Sequence, residues 1–330
     1  MEDKVSLILL NYNGIELLKS YLYSVVNQSY KNKEIIVVDN GSVDESCSYI
    51  ENNCPQIKII KNNKNYGISE GYNIGARNAA GEYLFFLAND MRLEGNATEV
   101  MVKRIIGDKQ CGIVTCKTRG MDTLILDSFG CSIDVFGFPN SIGAGEIDRG
   151  QYNHISYVPF SFGSCMLISK KLFFEVGGYN EYYHSQYDDF DLSWRVRLSG
   201  YEIGICSDAV IGHKISTTMK KIFKQSYIRY LSERNMYIML IKNLGFRRLI
   251  WVIPCCVIMT IAEIFIRLWR REWITLWSLL KVFAYLIKNI PDLIKKRIAV
   301  RKYAKVNDSA IYRYFYRGSY KIKNWLKGNA

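Results

Sequence analysis

A chain of 330 residues with 49% hydrophobic content can build one large or two ordinary domains with real cores. Nine cysteines without a CxxC pair, and only three histidines, exclude a zinc framework. The net charge of +13 is unevenly spread: residues 1–218 are net −6, whereas residues 219–330 hold 24 Lys and Arg against 5 Asp and Glu, a net of +19. A mildly acidic, enzyme-like body thus carries a basic, aromatic tail of the kind that binds polyanions, either nucleic acid or an anionic membrane surface.

The opening residues are too few and too acidic for a signal peptide, so a reducing cytoplasm is the expected compartment. Residues 4–10 form an apolar strand that ends in Asn11-Tyr12-Asn13-Gly14, a turn signal. Leu17, Leu18, Tyr21, Leu22 and Val25 then recur at helical spacing. A second apolar strand over 34–38 closes in Asp39-Asn40-Gly41-Ser42, and a short helix over 43–53 and a third strand over 57–60 follow. Asn65-Tyr66-Gly67 leads into a helix near 71–80, and a fourth strand over 83–87 ends in Ala88-Asn89-Asp90. Continuous apolar strands alternating with amphipathic helices predict an α/β fold, with a mostly parallel sheet covered on both faces.

Ligands of such sheets bind beyond the carboxyl ends of the strands. Asn11 and Asn13, Asp39, Asn65, and Asn89 with Asp90 all fall there. A single Asp at a strand end is usually a turn residue, but four consecutive strands ending in Asn or Asp is a more specific signal. No G-x-G-x-x-G follows the first strand and no P-loop is present, which argues against a dinucleotide fold. The pattern suits a sugar nucleotide. Asp39 can accept from a base N–H or a ribose hydroxyl, and Asp90 can hold Mg²⁺ or Mn²⁺ against a diphosphate.

Gly177-Gly178-Tyr179 leads on to Asp188-Asp189-Phe190-Asp191-Leu192-Ser193-Trp194-Arg195, three carboxylates within four positions at a helix start. Carboxylates this close repel, so burial would raise at least one pKa, as a general base requires. The competing reading is a solvated acidic helix start favoured by capping and the helix dipole. Asp191 is placed to pair with Arg195 at i+4, and Trp194 is expected in the core.

Taken in order, these stretches resemble family 2 glycosyltransferases with the glycosyltransferase A fold, especially the rhamnosyltransferase-type branch. The resemblance runs over residues 4–245 through Leu9–Asn13, Val37–Ser42, Asn65-Tyr66-Gly67 with Gly71–Gly75, Phe86–Met91, Gly163–Ile168, Gly177–Arg195 and Gly212-His213. It implies that Asn11 and Asp39 contact the base and ribose, and that Asn65, Gly67 and Asn73 line the donor pocket. Asn89 and Asp90 end the metal motif, Asp189 is the catalytic base with Asp188 beside it, and His213 supplies a late metal or phosphate ligand. A plain surface histidine is the alternative for His213. Ala88 stands where the family usually has Asn or Asp, and Asp188 where it has Glu. The implied reaction is a single inverting displacement by an acceptor hydroxyl deprotonated by Asp189.

The tail holds an apolar run over 249–266, with Thr260, Glu263, Arg267 and Arg270 on one helical stripe. A second stripe, Ser278, Lys281, Lys288, Asp292 and Lys295, is expected to oppose Trp273, Leu276, Trp277 and Leu280. Long helices of this kind lie in a membrane interface, while the competing readings are a buried pair or a homodimer and a true membrane span. No nucleic-acid recognition motif is present.

The expected organisation is a catalytic domain over 1–218, with a donor half to about 118 and an acceptor half beyond it, then a membrane-associating helical region over 219–330. The expected protein is a peripheral enzyme on the cytoplasmic face of the cell membrane. It moves a sugar from a nucleoside-diphosphate donor to a lipid-linked or surface glycan with Mg²⁺ or Mn²⁺. The rival is a non-catalytic, membrane-associated protein that binds a sugar nucleotide or glycan.

Overall fold

Continuous apolar strands need cover on both faces, and helices supply it here. In the computed structural model, which describes residues 3–161, 163, 165–214 and 224–326, the first four strands are β1 (Val5–Asn11), β2 (Lys33–Asp39), β3 (Lys58–Lys61) and β4 (Tyr83–Ala88). They pair in parallel in the order β3-β2-β1-β4. Between them run α1 (Ile15–Val26), α2 (Ser46–Asn53) and α3 (Gly67–Asn78). Residues 43–45, expected to be helical, precede α2. Leu7, Leu9, Val37, Phe85 and Leu87 cluster on one face with Leu18 and Leu22 of α1 and with Met101 and Ile105 of α4 (Ala97–Gly107). On the other face α3 lies so close to β1 that a Cβ at Gly75 would meet Ile8 Cγ2 at 2.4 Å, an approach that only glycine permits.

Beyond β4 the sheet is mixed, with both antiparallel and parallel pairs. Only Asn89 and Asp90 separate β4 from β5 (Met91–Leu93), and a parallel neighbour needs a crossover of a dozen residues or more. The chain therefore places β5 at the far edge, antiparallel to β11 (Glu202–His213). β6 (Cys111–Gly120) is parallel to β11 and carries β7 (Leu126–Ser128), and β8 (Cys131–Ile133) pairs with β9 (Pro139–Ser141). β10 (Cys165–Ser169) lies antiparallel between β4 and β6. Two helices complete this part, α5 (Lys170–Glu175) and α6 (Asp188–Leu198).

The chain divides into two compact units. The first comprises Met1–Cys131, Ser141–Arg197 and Tyr201–Ile215, and the second Ser132–Asn140, Leu198–Gly200 and Ser216–Ala330. The junction expected at 218/219 lies outside the described residues, and no composition shift marks the two short segments that join the second unit. That unit is helical: α7 (Gln225–Asn243), α8 (Phe246–Trp269), α9 (Trp273–Lys288), α10 (Ile290–Lys302), α11 (Asp308–Tyr312) and α12 (Tyr320–Leu326). A buried ionic cluster ties three of them together: Glu263 of α8 meets Arg229 of α7 at 2.7 Å and Lys321 of α12 at 2.8 Å. Burial alone would raise the Glu263 pKa, but the three surrounding cations, Arg229, Lys321 and Arg267, outweigh it and hold the carboxyl below its usual range.

The stripe expected on α9 is rearranged. Ser278 is buried with its hydroxyl donating to Ser226 O, and Leu276 is buried as well, whereas Lys281 and Lys288 share the exposed surface with Trp273, Trp277 and Leu280.

Candidate active site

The carboxyl ends of β1, β2 and β4 are adjacent, with Asn11 opposite Asp39 and Leu10 opposite Ala88 in register. The polar residues at these ends form one buried network. Asn11 Nδ2 donates to Asp39 Oδ1 at 3.0 Å, and Asn89 Nδ2 donates to Asn11 Oδ1 at 2.8 Å. Ser42, on the turn after β2, donates its hydroxyl to Asp39 Oδ1 and its backbone N–H to Asp39 Oδ2, and accepts from Asn13 N. Parallel pairing therefore brings Asn11, Asn13, Asp39 and Asn89 together at one sheet edge.

Two other expected donor residues serve the backbone. Asn65 Oδ1 accepts from Gly67 N at 2.8 Å, capping the entry to α3. Both ends of the Asn73 carboxamide hold Tyr179: Nδ2 donates to its carbonyl at 2.8 Å, and Oδ1 accepts its N–H at 2.9 Å. Asn73 thus braces the Gly177-Gly178 turn against α3. Gly67, at φ 84°, begins α3 beside His184, whose carbonyl accepts from Ile68 N.

Asp90 follows Asn89 and is buried, and its Oδ1 finds no hydrogen-bond partner among the described residues. Its Oδ2 lies 3.7 Å from Nε2 of His213, at the end of β11. The opposite ring nitrogen of His213, Nδ1, lies 2.8 Å from Asp127 Oδ2 in β7. Burial would lower the imidazole pKa, but the carboxylates of Asp127 and Asp90 overcome it and raise it to about 9. Sequence reasoning missed Asp127. Its only signal was an acidic residue between two apolar-facing positions of a three-residue strand.

Among the described residues no group of three or more His, Cys, Asp or Glu side chains is arranged to hold a metal ion. Asp90 and His213 nevertheless fit a hard divalent cation, because Mg²⁺ and Mn²⁺ bind through one or two protein groups and draw the rest of their shell from phosphates and water. The unpartnered Asp90 oxygen is the donor such an ion would use.

The acidic segment begins at two consecutive left-handed residues, Gln186 (φ 70°) and Tyr187 (φ 66°). A buried tyrosine in this region is strained, and the strain falls directly before Asp188 and Asp189. Gly163 closes on the second of these: a Cβ there would lie 2.7 Å from Asp189 Cβ. Ser164, next in the chain, lies outside the described residues. Asp188 is buried and Asp189 half-buried. Burial first, and then the Asp189 charge, pushes the Asp188 carboxyl up to about 8, while burial raises Asp189 to about 6 against the pull of backbone donors. Asp191 is not part of this pair. It binds Arg195 Nε at 2.9 Å and accepts from the Tyr183 hydroxyl, fully buried. Trp194 is core, edge-on to Phe160.

The Tyr72 phenol, raised chiefly by burial, feels the charges of both Asp188 and Asp90. The Cys131 thiol, raised chiefly by burial to about 12, feels both Asp189 and Asp127. Each of these two buried groups thus lies within electrostatic range of one carboxylate from either site.

A family model described as Glycosyl transferase family 2 matches residues 6–175. The low-salt glycan biosynthesis hexosyltransferase Agl10 of Haloferax volcanii is 28% identical over 245 residues, covering 72% of this chain and 76% of that protein. The mannosyltransferase PcManGT from Pyrobaculum calidifontis, solved with GDP-Man and Mn²⁺, matches with a TM-score of 0.54 at 14% identity, over 99% of this chain and 88% of its own. GalNAc-T7, solved with UDP, GalNAc and Mn²⁺, matches with a TM-score of 0.56 at 16% identity, over 72% of this chain and 47% of its own. The likeness to the solved structures establishes the fold as the glycosyltransferase A type.

Proposed function

The chain belongs to glycosyl transferase family 2, and we propose that it is an inverting hexosyltransferase with a nucleoside-diphosphate sugar as donor. The proposed acceptor is a hydroxyl of a lipid-linked or surface glycan, met at the cytoplasmic face of the cell membrane. The observation that carries the reading is the Asp188–Asp189 pair, held on a strained turn with Gly163 against one carboxylate. At neutral pH such a pair shares one proton. Asp188, the more buried and the more strongly raised, holds it, which leaves Asp189 ionised as the base.

Asp189 takes the acceptor proton as that oxygen attacks the anomeric carbon. The new glycosidic bond forms on the face opposite the breaking bond to the diphosphate, and the nucleoside diphosphate leaves with both electrons. Asn11, Asp39 and Asn89 present the donor-facing edge of the sheet, and Asn65 and Asn73 fix the α3 entry and the Gly178 turn around it. Asp90 and His213 would hold Mg²⁺ or Mn²⁺, which when bound offsets the charge of the leaving diphosphate.

The test is a transfer assay over UDP-, GDP- and dTDP-sugars, dTDP-rhamnose included, with the product anomer read by NMR. Asp189→Asn should lower transfer by roughly 10²–10⁴-fold with nucleotide binding retained. Transfer undiminished in Asp189→Asn, or a retained anomer, would overturn the mechanism. Donor binding without transfer from any donor would leave the chain a non-catalytic binder.

A further inference from the structure

An amphipathic helix of a soluble fold turns its apolar stripe inward, and α8 does the reverse. Its buried line of Val252, Cys256, Thr260 and Glu263 contains both polar side chains found between residues 249 and 266. Each is satisfied within its own unit: Thr260 Oγ1 lies 2.9 Å from the Tyr237 hydroxyl, and Glu263 binds Arg229 and Lys321. The opposite side is apolar and open. Ile250, Ile258 and Phe265 are exposed, with Trp251 75% and Trp269 86% accessible. After a turn through Arg270 and Arg271, α9 continues the pattern with Trp273, Ile274 and Trp277 exposed.

Apolar surface this rich in tryptophan and this continuous along two helices is costly in water and marks a docking surface. Its charge names the occupant. Arg247, Arg270, Arg271, Lys281 and Lys288 are all exposed at the ends of α8 and along α9, and the region is strongly cationic. Aromatic rings prefer the headgroup layer, and cations beside them attract an anionic leaflet.

α8 is long and apolar enough to cross a bilayer. A crossing, however, would carry Glu263 into hydrocarbon away from its arginine and lysine, leaving uncompensated charges on both sides. α9 and α10 meet at 71° and form no straight span. We propose that the exposed face of α8 and α9 lies flat in the interface of an anionic lipid bilayer, as a monotopic anchor whose polar stripe stays bound to its own helical unit.

This inference does not depend on the transfer chemistry, and it is tested without donor or acceptor. The full chain is floated with vesicles of phosphatidylcholine alone and with vesicles containing phosphatidylglycerol. Partition into the anionic vesicles should exceed that into the neutral ones by at least roughly tenfold and fall with salt. Trp251→Asp combined with Trp277→Asp, both at open positions, should abolish partition and leave the thermal unfolding midpoint unchanged. Tags at both chain ends should remain accessible to protease added outside sealed vesicles. Protection of one end would show a span, absence of flotation would remove the lipid partner, and a lipid-free dimer broken by the same substitutions would give the face to a second copy. Each of those three results overturns the proposal.

Discussion

Asp127 Oδ2 accepts from His213 Nδ1 at 2.8 Å, while His213 Nε2 lies 3.7 Å from Asp90. A histidine that gives one ring N–H to a carboxylate has its tautomer and ring plane fixed, and losing such a partner typically weakens a metal site 10–100-fold. Asp127→Asn should therefore weaken Mn²⁺ binding, measured by calorimetry in the presence of a nucleoside diphosphate, by about that factor. Because Asp127 reaches the site only through His213, Asp127→Asn added to His213→Gln should cost nothing further. Additive losses would mean that Asp127 acts by another route.

The transfer rate should show an acid limb near pH 6. Asp189 must be ionised to accept a proton, and burial raises its carboxyl to about 6. The rate is then full above that value and declines tenfold per pH unit below it. A kcat–pH profile whose acid limb lies near 4, where an exposed aspartate titrates, would rule out Asp189 as the base.

Asp188 should make the fold less stable in alkali. Its carboxyl is raised to about 8 in the folded chain, so between the unfolded value and 8 the native state binds more protons than the unfolded one. Stability is greatest below the unfolded pKa and is lost as pH rises through 8. Asp188→Asn removes that loss. It should be more stabilising at pH 8.5 than at pH 5 by at least about 1 kcal/mol, because a tenfold change in proton affinity on folding corresponds to about 1.4 kcal/mol. Urea unfolding of both proteins at the two pH values measures the difference, and an equal effect at both would refute it.

Gly163→Ala should damage catalysis with little effect on folding. The added methyl would meet Asp189 Cβ at 2.7 Å, and displacing a reacting group by about 1 Å can cost on the order of 100-fold. The expected result is a lower kcat with donor KM and thermal midpoint nearly unchanged. A normal kcat would show that Asp189 needs no such close positioning.

In the helical unit, Glu263→Leu removes one of the two buried carboxylates, Glu263 and Glu233, that Arg229 and Lys321 share. Removing one partner of a buried pair costs about 3–5 kcal/mol when the other charge is left uncompensated, and with Glu233 still in place chemical unfolding of this variant should show a measurable loss below that range. A neutral outcome would mean that water reaches the cluster.

The first four strands were legible because continuous apolar runs and terminal Asn and Asp residues are local signals, and parallel pairing in register then aligns Asn11, Asp39 and Asn89. β10 and β5 were not legible as antiparallel members, since their places depend on where the chain returns. Asn73 has the sequence context of a donor ligand, but its amide is engaged by the backbone of Tyr179, which lies far along the chain. Asp127 is one acidic residue in a short strand, and the pairing of β7 with β6, itself parallel to β11, brings it to His213.

By itself the sequence determined the family, the polar strand ends, the crowding of Asp188 and Asp189, and the cationic tail, all of which are set by residues close together in the chain. The tertiary structure decided which of those carboxylates is sealed, which histidine nitrogen faces Asp90, and which side of α8 is turned inward. Each of these depends on partners distant in sequence. The energy of a buried charge is fixed by what surrounds it in space, and spacing along the chain does not specify that.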